Sequence, residues 1–177
     1  PDNIYEVKDV MESINYEPNS FDMITCFYFT IYYIEDKKTF MKNCMNWLVP
    51  GGYLVLHLVN RKKFDPIIPP ANPFVMVSAQ KYAKKRITDS TVKFNNFTYN
   101  ANFDLKEKDD IAIFKERFKF KNKKKTRENE HKLYMQKHSE IVEMAKRLGF
   151  ILDGRIDLLK AQYEHQYLYV FKTPEGN

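Results

Sequence analysis

Apolar and polar positions follow two different periods along this chain, and the switches between them mark its elements. The run Ile4 to Lys8 (I-Y-E-V-K) alternates, the period-2 mark of a short half-buried strand, and it ends at Asp9. Beyond the breakers Pro18 and Asn19, Met23 to Phe29 is almost continuously apolar, which predicts a central parallel strand covered on both faces. Asp36 then offers a helix cap. Phe40, Met41, Cys44, Met45 and Leu48 fall on one face of an amphipathic helix that stops at Pro50-Gly51-Gly52. Tyr53 to Val59 (Y-L-V-L-H-L-V) reads as a second buried strand. A strand-helix-strand unit of this kind predicts parallel pairing with a right-handed crossover.

The middle of the chain changes character. Pro66, Pro69, Pro70 and Pro73 interrupt regular structure, and a short basic helix fits Ser78 to Lys85. Lys93 to Phe103, Ile111 to Lys121 and Thr126 to Met135 predict three antiparallel strands. Helical periodicity returns over Ser139 to Leu148, where Ile141, Val142, Ala145 and Leu148 share a face, Lys146 and Arg147 suit the last turn, and Gly149 supplies the stop. Two strands, Ile151 to Leu158 and Gln166 to Lys172, close the chain. The pattern is therefore α/β, with a core over 1–60 and 133–177 and an antiparallel β platform inserted over 61–132.

Composition narrows the function classes. A chain of 177 residues suits one domain plus an insertion, and 44% hydrophobic residues with 14 Phe and 12 Tyr exclude disorder as the main state. The best apolar run, Met23 to Ile34, ends in Glu35, Asp36, Lys37 and Lys38, too short for a membrane span, and no signal peptide is recognisable. Cys26 and Cys44 lie in apolar patterns without metal-ligand or disulfide spacing, so no metal site is expected and a reducing cytoplasmic setting is the default. The net charge of +6 raises nucleic acid as a partner. The basic residues, however, are mostly Lys, whereas bidentate phosphate and base recognition favours Arg. The charge is thus weak support for a nucleic-acid partner, which stays a minor alternative.

Four segments, taken in order, resemble a known family: Lys8-Asp9-Val10 after a strand; Asn19 to Ile34 (N-S-F-D-M-I-T-C-F-Y-F-T-I-Y-Y-I); Leu48 to Leu56 (L-V-P-G-G-Y-L-V-L); and Leu148 to Ile151 followed by the terminal hairpin ending Y-V-F-K. The chain resembles the C-terminal two-thirds of a class I S-adenosylmethionine-dependent methyltransferase. That resemblance implies a Rossmann-like, mostly parallel sheet with an antiparallel C-terminal hairpin, S-adenosylmethionine as cofactor, and a small-molecule substrate covered by the inserted strands. In such a sheet ligands sit beyond the carboxyl ends of the strands, here Asp9, Cys26 to Tyr28 and Asn60. The resemblance implies that Asp9 accepts from the adenine amino group, that the Val10 N–H meets a ring nitrogen, and that Cys26, Phe27 and Tyr28 line the methionine side. Asp9 is otherwise a turn aspartate, and Cys26 and Phe27 are otherwise core packing. Phe29, Tyr32 and Tyr33, with Tyr28, form an aromatic cluster suited to a cationic methyl donor and its substrate, or else serve the core. Methyl transfer needs positioning more than a dedicated base. Where a base helps, Tyr28, His57 and His165 are the candidates, with His57 alternatively a satisfied core histidine.

The family's glycine-rich loop has no counterpart here: Gly51, Gly52, Gly149, Gly154 and Gly176 form no G-x-G. The chain is expected to correspond to the family from its third strand on. In the family's sheet order, 3-2-1-4-5-7-6, that leaves the first strand unpaired and one edge of the apolar second strand open. Either a longer polypeptide or a partner copy in a homodimer would cover that edge. The competing reading is a non-catalytic module on the same scaffold, serving as a subunit or binding RNA through aromatics interleaved with basic residues between Phe114 and Lys121.

Overall fold

The computed structural model describes residues 8–64, 66, 86–121 and 126–176. The expected helix over Ser78 to Lys85 lies outside them, as does the expected strand at Ile4 to Lys8 except for Lys8 itself, which is not in a strand. The chain folds as two compact units: one comprises Pro1–His57, Ser139–Arg155 and Leu168–Asn177, the other Leu58–His138 and Ile156–Tyr167.

The first unit is built on β1 (Phe21–Cys26) and β2 (Leu48–Val59), which pair in parallel. Between them lie the single turn α1 (Thr30–Tyr33) and helix α2 (Lys37–Trp47). Asp36 caps α2 as its position predicts. Its carboxylate accepts from the Thr39 hydroxyl at 2.6 Å and the Thr39 N–H at 3.0 Å, and these bonds hold the carboxyl below its ordinary range. Phe40, Met41, Cys44 and Trp47 form the buried face of α2. Buried residues of α2 also take the incoming chain. Asn43 Nδ2 donates to the Val10 carbonyl at 3.0 Å, and Trp47 Nε1 donates to the Ser13 carbonyl at 2.9 Å. Past helix α3 (His138–Arg147), Gly149 at φ +103° makes the stop its sequence predicts.

Two expectations are corrected here. β2 begins at Leu48, not Tyr53, because Pro50-Gly51-Gly52 is a bulge inside the strand. Phe21 faces Leu48 and Met23 faces Tyr53, so the register shifts between them. The other correction concerns β1, expected to be buried on both faces, with one edge open as the family's strand order implies. It stands at the edge of the sheet β1-β2-β8-β7, where β7 is Ile151–Asp157 and β8 is Gln166–Lys172, and Met23 is 55% exposed. The sheet is mixed: β1 and β2 run parallel, and β8 is reversed, as expected of the C-terminal hairpin strand. Gly51 N–H to the Pro174 carbonyl, Thr173 N–H to the Gly52 carbonyl and Asn60 N–H to the His165 carbonyl run β8 antiparallel to β2.

The second unit carries an antiparallel sheet of four strands, not three: β3 (Asp89–Lys93), β4 (Phe97–Lys106), β5 (Ile111–Phe120) and β6 (Thr126–Tyr134), in sequence order. The alternation over Lys93 to Phe103 spans a hairpin turn at Asn95-Asn96, closed by Phe94 N–H to the Phe97 carbonyl at 2.8 Å. Phe94 and Phe97 stack across that turn with centroids 4.4 Å apart. Arg61, buried, donates to the Asp110 carboxylate in the β4–β5 turn and to the Met135 carbonyl beyond β6.

Candidate functional site

The carboxyl end of β1 does not run straight on. Thr30 N–H and hydroxyl both donate to the Phe27 carbonyl, at 3.2 Å and 2.7 Å, closing a turn whose two central residues, Tyr28 and Phe29, have φ of +50° and +66°. Both sit in the left-handed region, as in a type I′ turn, without the Gly or Asn such turns favour. Left-handed backbone costs an L-residue about 1–2 kcal/mol, so two bulky aromatics in succession need support. His57 on β2 provides it. Its Nδ1 accepts the Tyr28 N–H at 3.2 Å, and its ring lies 5.3 Å from that of Phe29. His57 is 4% exposed, the buried histidine that one of its two readings anticipated, and the bond makes it a support for the turn. Sequence reasoning missed this coupling because nothing in F-Y-F-T signals a left-handed turn.

The turn presents its aromatics to the surface. Phe27 and Tyr33 are exposed and Tyr28 is 64% exposed, an open aromatic patch at the end of a strand. Tyr32 is fully buried instead, with the Lys37 ammonium 5.8 Å from its ring centroid, and contributes core and not surface. Cys26 is buried just beneath, and burial raises its thiol to about 11; burial also pushes the Cys44 thiol up, so both stay neutral and inert. Asp9 lies in the segment held by α2. One carboxylate oxygen, Oδ1, accepts the Met11 N–H at 2.9 Å in an Asx turn, and Oδ2 has no donor among the described residues. Asp9 is exposed, as is Val10 beside it. Asp9, Val10, Cys26, Phe27, Tyr28 and His57 all belong to the first unit. Asn60 and His165 belong to the second, joined by the Asn60 N–H to the His165 carbonyl at 2.8 Å. Among the described residues no group of His, Cys, Asp and Glu could hold a metal ion, and no helix is long and apolar enough to cross a membrane.

Residues 3–56, which hold Asp9, the β1 turn and most of β2, match the methyltransferase domain family. Among solved structures, the chain is similar to an S-adenosylmethionine-dependent methyltransferase from Clostridium acetobutylicum, with a TM-score of 0.68 at 18% identity, covering 96% of this chain and 64% of that one. It is also similar to the CcbJ methyltransferase from Streptomyces caelestis, with a TM-score of 0.72 at 11% identity over 95% of this chain and 62% of that one. The fold is that of the class I methyltransferases. A third similar structure is the amino pentose methyltransferase CalS10 from Micromonospora echinaspora, solved with S-adenosylmethionine bound, with a TM-score of 0.58 at 15% identity over 93% of this chain and 62% of that one. The chain thus spans a little under two-thirds of the length of these methyltransferases. None of the curated proteins matches it in sequence. Within the methyltransferase fold, the order β1-β2-β8-β7 reproduces the 4-5-7-6 half of the expected sheet.

Proposed function

We propose that this chain carries part of the cofactor site and the substrate platform of an S-adenosylmethionine-dependent methyltransferase acting on a small molecule. The methyltransferase match over residues 3–56 carries this reading, because it contains every first-unit residue at the strand ends except His57. The cofactor, when bound, supplies a methyl group on a positively charged sulfur. The residues fit that group. Asp9 keeps a carboxylate oxygen with no donor among the described residues, able to accept from the adenine amino group, with the Val10 N–H next in the chain for a ring nitrogen. The exposed rings of Phe27 and Tyr28 offer π faces to a cationic sulfur, worth about 0.5–2 kcal/mol each. His57 fixes where those rings point. Its Nδ1 accepts the Tyr28 N–H, which supports a positioning role. Tyr28, whose side chain reaches solvent, is the better placed of the two to meet an incoming nucleophile. The inserted sheet of the second unit serves the substrate. An amine or hydroxyl on a sugar-like ring is the favoured class, since similar structures include CalS10, an amino pentose methyltransferase, and KedS8, a sugar N-methyltransferase.

The RNA-binding reading loses ground on the sheet itself. Lys115 and Arg117 are engaged by Glu130 and Glu128 at 3.0 Å and 2.7 Å, so these basic side chains are neutralised across the strands. The cofactor reading is tested by titrating the isotope-labelled chain with millimolar S-adenosylmethionine. Amide shifts should concentrate at Asp9, Val10 and Cys26 to Phe29, and Asp9→Ala should weaken binding about tenfold, the loss of one hydrogen bond worth about 1–1.5 kcal/mol. Shifts that avoid these residues at saturation would overturn the assignment.

A further inference from the structure

The two faces of the antiparallel sheet treat their carboxylates differently. On one face the acidic side chains of β6 have cationic partners across the strand: Glu128 pairs with Arg117 and Glu130 with Lys115. The register places Glu116 on the other face, with Tyr99, Phe118 and Phe114 as neighbours. There Glu116 accepts from Tyr99 Oη at 2.7 Å and from Asn129 Nδ2 at 3.3 Å, and His131 Nε2 lies 3.3 Å away. No lysine or arginine among the described residues pairs with it. Arg127, on the same face, lies over the Phe118 ring at 5.9 Å. Glu116 therefore combines a side chain only 19% exposed, donors that are uncharged unless His131 is protonated, and aromatic surroundings. Such a carboxylate is held ionised by its hydrogen bonds, without a lysine or arginine among the described residues to balance its charge. Three donors leave one of its roughly four lone-pair positions open, on Oε1, and the flanking π faces attract cations as well.

We propose that this aromatic face is a recognition site for an ammonium group on a ring-shaped small molecule, with Glu116 as the counter-ion. It rests on the methyltransferase reading only for its use as a substrate site. Binding itself needs no cofactor. In that role the face would bind the amine through Glu116 and the ring body through Tyr99 and Phe118, which lie 4.9 Å apart.

The experiment compares benzylammonium with benzyl alcohol, two probes of one shape and different charge, by titration into the labelled chain at neutral pH. The amine should bind at least tenfold more tightly, with shifts at Tyr99, Phe118 and His131. Glu116→Gln, which keeps the shape and one accepting oxygen but removes the charge, should bring the two probes within about twofold of each other and leave alcohol binding unchanged. Phe118→Leu should weaken both probes together. Equal binding of amine and alcohol by the parent chain, or a preference that survives Glu116→Gln, would overturn the proposal. Should Glu116→Gln perturb the fold, alcohol binding would fall as well, and Tyr99→Phe would then decide: it keeps Glu116 charged and strips a donor, so a preserved amine preference supports the site and a lost one removes it. Amine preference without any S-adenosylmethionine binding would sink the methyltransferase reading alone.

Discussion

Tyr28 brings backbone strain into the proposed cofactor site. Its side chain is largely in water, so it adds little to the core, yet its backbone occupies a left-handed conformation that L-residues avoid. Glycine adopts that conformation freely. Tyr28→Gly should accordingly leave the chain as stable or more stable, by up to about 1 kcal/mol in urea denaturation, because relief of strain outweighs the extra unfolded-state entropy of glycine. The same change should weaken cofactor binding, because the exposed ring is gone. A destabilisation beyond about 1 kcal/mol would mean that the turn is not strained in the way its φ angles imply. His57 follows the same logic from the buried side. Its composition-level reading as a core histidine was legible in Y-L-V-L-H-L-V, but its bond to Tyr28 was not, because the two residues are 29 apart and only the parallel pairing of β1 and β2 brings them together.

At the scale of elements, the glycines of β2 separate two physical reasons for the same residue. Gly51 has φ +75° with room for a methyl group, whose nearest contact would be Lys172 Cε at 3.6 Å. Gly52 has ordinary backbone, but a Cβ there would lie 2.9 Å from the Val49 carbonyl oxygen and 3.2 Å from that of Asp22. Gly51→Ala should cost about 1–2 kcal/mol through backbone strain, and Gly52→Ala should cost more, about 2–3 kcal/mol, because backbone of its own bulge and of β1 must give way. Thermal melts of the two variants check the order, and a larger loss at Gly51 would show that conformation and not close approach limits the bulge. The P-G-G motif announced a turn, and the helix before it and the hairpin after α3 were legible from cap and period. The bulge was not, because a bulge is a property of register with β1. The extra strand β3 escaped for a related reason: Asp89 to Lys93 (D-S-T-V-K) has one apolar residue and gains its strand character from the ladder with β4.

At the scale of the whole molecule, the proposed cofactor site is chemically one-sided. Asp9 and Val10 suit the adenine, and Phe27 and Tyr28 suit the methionine side, while the five glycines provide no G-x-G loop that could meet the ribose and carboxylate through backbone N–H groups. β1, the strand that carries the turn, presents an edge unpaired among the described residues, with Met23 exposed on it. The order of the strands was legible only through the resemblance to the family, whose sheet order it follows. Exposure of β1 was legible only by comparison with the family, since an apolar run looks the same whether or not a neighbour covers it. The consequence is quantitative. Several hydrogen bonds to charged or hydroxyl groups, each worth about 0.5–3 kcal/mol, are missing from the contacts this chain offers, which moves a micromolar site into the millimolar range. Calorimetry of the 177-residue chain with S-adenosylmethionine should therefore give no measurable heat at micromolar protein, although millimolar cofactor still shifts the amides of Asp9 and the β1 turn. Addition of a strand-loop-helix segment bearing the glycine motif, fused ahead of Pro1, should raise affinity by at least a hundredfold, and Asp9→Ala in that fusion should lower it again. Micromolar binding by the chain alone would show that another of its segments takes the place of the glycine loop, and the site would then not be one-sided.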